Sequence, residues 1–407
     1  MNYLLRLLVF SALFVPLSAP PCPTYKCGAD QLSHLHPLLK PTARIGIVTN
    51  QTGKASNGTR TIDALVAQGF NLTKIFAPEH GFHGNVASER KIHDDVDSHT
   101  GLPIISLYKG HGPSTQIAEH LADLDAILVD LQDSGMRHYT YISLMYKALV
   151  VAQEHKKTII ILDRPNPLGS VMEGPLVDDN LISFISIAPV PLRHSMTMGE
   201  LALYCNKQIL KAPADLHVVP LAHYQRPARH AIPLPLSPNL PTMQSVYGYS
   251  FLGLLGEVAP FYVGVGTPDA FRCIMLPESA GISEKQWIAL SLGLKKLGVV
   301  SVAHRYRQPE RNKIYTGLRI TIPHINKVSS LQTFLHITDF FRARGISLSF
   351  AVNFDKAAGT PLLRKYLQGS IARPELLAIF NTQAKNFYAQ VQPYLLYQPK
   401  PTLSLLT

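Results

Sequence analysis

The sequence predicts an α/β protein, a doubly wound and mostly parallel sheet followed by a second, smaller α+β domain. Three observations lead there. Short apolar runs alternate with segments of helical period between about residues 43 and 220, the pattern of βαβ units. Four of those runs end in clusters of polar residues, as strands do when they deliver side chains to a shared crevice. Pro227, Pro233, Pro235, Pro238 and Pro241 then crowd one short span, and the pattern beyond them is mixed.

Met1 to Ala19 reads as a secretory signal: Arg6 is its only charge, Leu7 to Leu17 is apolar, and Ser18-Ala19 supplies small residues. Pro20 and Pro21 follow the expected cut, so an uncleaved anchor is the alternative. No other segment is apolar for long enough to cross a bilayer. Residues 20–42 read as a linker. Cys22 and Cys27 are close enough to pair in an oxidising compartment, whereas Cys205 and Cys273 sit among apolar residues and read as buried thiols.

The first strand, Ala43 to Thr49, delivers Asn50 and Gln51. A helix follows, with Thr59 as N-cap, Ile62, Leu65 and Val66 on one face, and Gly69 as C-cap. The strand Leu72 to Ala77 delivers Pro78-Glu79-His80-Gly81, an acid beside an imidazole, fenced by proline and glycine. Leu102 to Tyr108 is a strand and Ser114 to Leu124 a helix. Asp125 to Leu131 delivers Gln132, Asp133 and Ser134. Tyr141 to His155 is a helix, and Thr158 to Leu162 delivers Asp163, Arg164, Pro165 and Asn166. The helix Met198 to Leu210 and the strand His217 to Pro220 extend the series. The proline-rich stretch from Gln225 to Thr242 is a linker or a rigid crossing segment. This places the first domain at 43–242 and the second at 243–407, with helices at Gln286–Leu297, Leu331–Arg342 and Pro374–Gln392 and a strand at Leu318–Ile322.

The chain has 407 residues, 46% hydrophobic and 16% charged, with a formal net charge of +11. No dense Lys/Arg stripe with interleaved aromatics appears, which argues against nucleic acid. His83 and His93 stand near Asp94, Asp95 and Asp97, but the spacing fits no metal-ligand pattern, so no metal is expected. Gly264-Val265-Gly266-Thr267 lacks the ending of a phosphate loop, and no Gly-x-Gly-x-x-Gly follows a strand, so no dinucleotide or other cofactor is expected.

Three carboxylates, Glu79, Asp133 and Asp163, stand at strand ends. Glycoside hydrolysis uses a pair of carboxyl groups, one of them held protonated. Asp163 can alternatively cap a helix or pair with Arg164. Arg164 and Arg137 can clamp a carboxylate or phosphate. Tyr139 and Tyr141 serve either as a sugar platform or as packing. His80 either orients Glu79 or stabilises its turn.

The same residues carry a resemblance. Gly46-Ile47-Val48-Thr49-Asn50-Gln51-Thr52-Gly53, Ala77-Pro78-Glu79-His80-Gly81-Phe82-His83-Gly84, Asp130 through Ile142 and Leu162-Asp163-Arg164-Pro165-Asn166-Pro167 resemble the bacterial exo-β-N-acetylmuramidase family, formerly the DUF1343 family. Glu173-Gly174-Pro175, Pro191 to Glu200 and Ser237-Pro238-Asn239-Leu240-Pro241-Thr242 extend it. The resemblance implies a Rossmann-like first domain and a cleft against the second. It implies release of terminal β-1,4-linked N-acetylmuramic acid from the non-reducing end of peptidoglycan fragments, in an exported, periplasmic protein. Glu79 matches the family's favoured catalytic glutamate, with His80, Asp133 and Asp163 beside it. Asn50, Gln132, Arg137, Tyr139, Tyr141, Arg164, Asn166 and Asn239 are the expected substrate contacts, the arginines for the lactyl carboxylate. Val263 and Val265 stand where the family usually has an acid and an arginine, His83 where arginine is common, and Ser195 where glycine is common. The valines leave two alternatives, a protein that binds muropeptides without turnover and a hydrolase acting on another acidic sugar.

Overall fold

The computed structural model describes residues 25–87, 90–108, 117–121, 123–228, 230–309 and 312–406. The expected signal segment, Cys22 and the start of the helix expected from Ser114 lie outside them.

Seven strands form the main sheet: β1 (Ile45–Thr49), β2 (Leu72–Ala77), β3 (Asp95–Val96), β4 (Pro103–Ser106), β5 (Ala126–Asp130), β6 (Thr158–Leu162) and, after the two-residue β7 (Val171–Met172), β8 (Asp215–Val219). Their order is β3-β4-β2-β1-β5-β6-β8. All neighbours are parallel except the edge pair β3–β4. The chain winds outward from β1 through β2 and β4, then returns to β5 and winds the other way. The carboxyl ends of β1, β2 and β5 therefore meet at the switch point, where such sheets hold ligands. Ile45, Ile47, Leu128 and Ile160 pack on one face with α1 (Thr61–Ala67), while Ile127, Val129 and Ile159 pack on the other with α3 (Tyr141–Glu154) and α4 (Met198–Gln208). Burial on both faces is why these strands read as unbroken apolar runs. The short α2 (Ile117–Leu121) precedes β5.

From Tyr25 the segment expected to be a linker is docked instead. Leu32 and Leu35 are buried in the sheet's first-face core, and the Gly28 N–H donates to the Asp163 carbonyl at 2.9 Å. A Cβ at Gly28 would lie 2.6 Å from Asp163 N, so only glycine allows that approach. Burial of Leu32 and Leu35 is what makes this segment part of the fold rather than a linker.

The second domain opens with α5 (Met243–Leu255) and β9 (Val258–Ala259). A three-stranded antiparallel sheet follows, β10 (Cys273–Pro277), β11 (Val300–Gln308) and β12 (Lys313–Thr321), in the order β10-β12-β11. The helices are α6 (Glu284–Lys296), α7 (Ser330–Arg342), α8 (Phe354–Ala358), α9 (Leu362–Leu367) and α10 (Arg373–Val391), with β13 (Ser349–Phe350) pairing β9. The last strand, β14 (Thr402–Leu403), pairs with β7 of the first domain. One buried cluster runs through both domains, from Val129 and Met145 to Phe251, Phe334 and Phe380.

Candidate active site

Strand β2 is buried at its carboxyl end and hands the chain to a tight double turn. Gly81 N–H donates to the Pro78 carbonyl, Gly84 N–H to Gly81, and Val86 N–H to His80. His80 sits at φ +72°, a left-handed conformation that non-glycine residues rarely hold and that concentrates at functional sites. Its Nδ1 lies 2.8 Å from the Val86 carbonyl, which makes Nδ1 the protonated nitrogen. The imidazole thus locks the turn, and Glu79 at its apex is half-buried.

Glu79 faces a cleft of about 240 Å³ that also takes in His80, Thr140, Tyr139, His138, Ser237, Asn239, Tyr249, Glu257 and Asn353. Its floor comes from strand ends of the first domain, and its far wall from α5 and the turns before β9 and α8. The Thr140 hydroxyl donates to Glu79 Oε2 at 2.9 Å. The Tyr249 phenol is raised in pKa by burial, then by the negative charges of Glu79, Asp133 and Glu257. Two carboxylates of the cleft, Glu79 and Glu257, therefore both act on this ring.

A buried chain supports this floor. Asn50 Nδ2 donates to the Tyr141 hydroxyl at 2.7 Å, and the Tyr141 and Tyr139 rings lie 4.6 Å apart. Burial, followed by the charge and hydrogen bond of Tyr141, raises the Tyr139 phenol. Tyr139 also donates to the Leu236 carbonyl at 3.3 Å, and Gln51 Nε2 holds the carbonyls of Pro235 and Leu236, each at 3.0 Å. The proline-rich stretch is thus a rigid crossing segment that presents Ser237 and Asn239 to the cleft. His138, beside Tyr249 at 4.8 Å, has no hydrogen-bond partner on either ring nitrogen. Burial, then Arg137, pushes it down to about 3, so it is neutral. A Cβ at Gly253 would sit 2.5 Å from its Nε2.

Of the expected residues, Glu79, His80, Tyr139 and Asn239 line the cleft, and Asn50 and Tyr141 stand behind it. The others are used for building. Asp133 does not line the cleft; its Oδ2 accepts from Gly135 N at 2.7 Å and lies 3.3 Å from His194 Nε2. Asp163 is fully buried and accepts from the Tyr397 and Thr197 hydroxyls, Gly199 N and its neighbour Arg164 N. It fastens the start of α4, the capping alternative, and burial pushes its carboxyl up to about 6 against those hydrogen bonds. Arg164 forks onto Asp130 at 2.6 and 3.0 Å. Arg137 is enclosed by the carbonyls of Pro175, Val190 and Ala358, tying α8 to the first domain. Gln132 donates to the Asp133 and Pro165 carbonyls, and Asn166 to that of Met196. The two arginines are therefore spoken for, and neither reaches the cleft.

Glu257 is the residue that strand-end reasoning missed. It follows a helix rather than a strand. A signal was present: Glu257 is the only charged residue between Arg229 and Asp269. The two valines that depart from the family pattern do not line the cleft, although Val263 packs against Gly256 beside Glu257. Val263 is buried in the core and Val265 is 40% exposed. His83 lines a neighbouring hollow with Gln51 and Arg60. Ser195 sits at φ +56°, which explains glycine's usual place there, and its hydroxyl donates to the Gly169 carbonyl at 2.7 Å. Asp97 is ion-paired with Arg60 at 2.7 Å. The buried Cys27 thiol lies 3.1 Å from Asp30 Oδ2, and burial pushes it up to about 12.

A roomier hollow of about 690 Å³ lies beside Cys27 and Arg164, but no carboxylate lines it. Another of about 720 Å³ beside α6 holds Glu278 and Glu284, the first of them paired with Arg305. Among the described residues the smaller cleft sets two carboxyl groups beside a strained turn and convergent donors.

Residues 45–244 match the family model described as exo-beta-N-acetylmuramidase NamZ, N-terminal, and residues 247–397 match its C-terminal counterpart. The peptidoglycan beta-N-acetylmuramidase NamZ of Bacillus subtilis (strain 168) is 29% identical over 388 residues, covering 92% of each chain. Two crystal structures of DUF1343 family proteins from Bacteroides fragilis NCTC 9343 superpose with TM-scores of 0.81 and 0.72. Each is 29% identical and covers 93% of this chain and 100% of its own.

Proposed function

Since this chain belongs to the exo-β-N-acetylmuramidase family, whose two domain models together span it, we propose that it is a glycosidase releasing N-acetylmuramic acid from the non-reducing end of peptidoglycan fragments. Glu79 is its main catalytic carboxyl group. The observation that carries this reading is that Glu79 and Glu257 line the same cleft as Tyr249.

A glycosidic bond set between them has a carboxyl group on either side, as hydrolysis through an oxocarbenium-like transition state requires. One carboxyl protonates the departing oxygen, while the other, charged, stabilises the anomeric carbon or activates water. Thr140 fixes the Glu79 oxygen that faces it and leaves the other free. Because Arg137 and Arg164 are engaged inside the protein, the lactyl carboxylate is left to neutral donors of the cleft, Ser237, Asn239 and Asn353. The net charge of +11 draws such an anionic saccharide toward the protein over a longer range. Export follows from the apolar run Leu7 to Leu17 behind Arg6. Among the described residues no helix is long and apolar enough to cross a membrane.

A muropeptide-binding protein without turnover is the second reading, motivated by Val263 and Val265. Neither valine lines the cleft, which weakens it. A chromogenic β-N-acetylmuramic acid glycoside and a saccharide ending in that sugar distinguish the two. Free N-acetylmuramic acid accumulating from both supports the glycosidase. Saturable binding with no release supports the binding protein, and neither binding nor release of either compound overturns the substrate assignment.

A further inference from the structure

Strand β11 is an edge that lacks the usual protection. It pairs with β12 along all nine residues, Val300 to Gln308, in unbroken register, and it is the last strand of its sheet. Among the described residues no backbone bond is formed on its other side. Exposed edges are normally blunted by proline, lysine, a bulge or projecting charge. Val300-Ser301-Val302-Ala303-His304-Arg305-Tyr306-Arg307-Gln308 contains no proline or lysine and no bulge. Its two arginines are drawn back along their own chain, Arg305 to Glu278 at 3.2 Å and Arg307 to Asn312 at 2.6 Å.

Apolar side chains are exposed on both faces of this edge, the valines on one and the α6 residues on the other. Val300 and Val302 are 46% and 56% exposed, and Ile288 and Leu292, one turn apart on α6, are 52% and 58% exposed. The Ser301 hydroxyl meets that of Ser291 at 2.8 Å, which seats α6 over the odd-numbered face of β11. The apolar hollow between them includes Ile288, Leu292 and Ala303.

We propose that β11 pairs antiparallel with β11 of a second copy about a twofold axis at His304, joining two three-stranded sheets into one of six. The strand is complementary to itself in that register. Val302 falls opposite Tyr306 of the second copy, Arg305 opposite Ala303 and Arg307 opposite Ser301, so no two arginines face each other. A twofold perpendicular to the sheet keeps both α6 helices on one face and brings Ile288 and Leu292 against their equivalents. A lone extended peptide would pair with the edge but leave those two side chains in water, which favours a second copy. Glu79 lies on other elements, so the dimer stands independently of the reaction proposed above.

Sedimentation velocity across a range of protein concentrations, with amide exchange on the same samples, tests it. The wild-type protein is expected at the mass of two chains, with Val300–Gln308 amides protected like those of an interior strand. Ile288→Asp combined with Leu292→Asp and Val302→Lys, all at exposed positions, is expected to sediment as one chain with those amides exchanging faster. The variant's far-ultraviolet circular dichroism and glycosidase assay report its folding. A single-chain mass for the wild-type protein at every concentration overturns the proposal. So does a dimer unaffected by the three substitutions, or β11 amides that exchange as a free edge in the wild-type protein.

Discussion

The hydroxyl of Thr140 donates to Oε2 of Glu79 across 2.9 Å, joining positions 61 residues apart in the chain. Thr140 stands at the N-cap of α3, yet its side chain makes no capping bond. A threonine there ordinarily stabilises its helix by about 1 kcal/mol. Here the hydroxyl serves the carboxylate of the β2 turn instead, so helix α3 and the Glu79 turn are aligned by one side chain.

Thr140→Val keeps the shape and removes the donor. A hydrogen bond to a charged group is worth about 1.5–3 kcal/mol, so kcat on a β-N-acetylmuramic acid glycoside should fall roughly ten- to hundredfold. The melting temperature should fall only modestly, because α3 loses no cap and the half-exposed Glu79 carboxylate is solvated in place of the lost donor. Steady-state kinetics beside a thermal melt check this. A loss confined to stability would make Thr140 an ordinary packing residue.

Glu257→Gln removes the second carboxyl group and keeps its volume. General acid–base catalysis contributes about 10²- to 10⁴-fold, and kcat is expected to fall by that order with KM much less affected. A variant with full kcat and a raised KM would reassign Glu257 to substrate binding.

Asp163→Ala separates a building role from a chemical one. The substitution strands the Tyr397 and Thr197 hydroxyls and the Gly199 N–H in a dry interior, each costing about 1–3 kcal/mol. Denaturant unfolding should show a loss of at least about 3 kcal/mol, while the folded fraction retains turnover. Abolished turnover at undiminished stability would restore Asp163 to the chemistry.

His138 supplies a pH signature. Burial holds it neutral, down to about 3, against an ordinary value of 6.5. Below 6.5 the unfolded chain takes up a proton that the folded protein refuses. This residue therefore lowers stability as pH falls from about 6.5 to about 3, by up to about 1.4 kcal/mol per pH unit. His138→Phe is expected to flatten the acid side of the stability profile and to be near neutral at pH 7, since both orphaned nitrogens leave together. Urea midpoints at several pH values measure it. Parallel profiles would mean that His138 is protonated in the folded state.

The first domain was legible because its strands are buried on both faces and so write unbroken apolar runs between amphipathic helices. Their polar ends pointed to one crevice, and the Pro78–Gly81 turn stands in it. The same reasoning over-reached for Asp163, Arg164 and Arg137. A polar residue at a buried strand end can serve the crevice or the framework, and only the packing of Tyr397, Asp130 and Ala358 around them decides. In the second domain α5 escaped notice because Met243–Leu255 is apolar on nearly every side, with Gly248 and Gly253 inside it. Strand β11 escaped because its edge position leaves it rich in polar side chains. Glu257 went with α5, since a carboxylate after an unrecognised helix has no strand end to announce it.

In the proposed reaction Glu79 is the carboxyl group on which hydrolysis turns. The most direct measurement is release of N-acetylmuramic acid from a saccharide bearing it at the non-reducing end, by wild-type protein and by Glu79→Gln at matched folded concentration. A fall of about 10²-fold or more in kcat, with the variant still binding the saccharide, is the predicted result. Turnover by Glu79→Gln equal to wild type would contradict it.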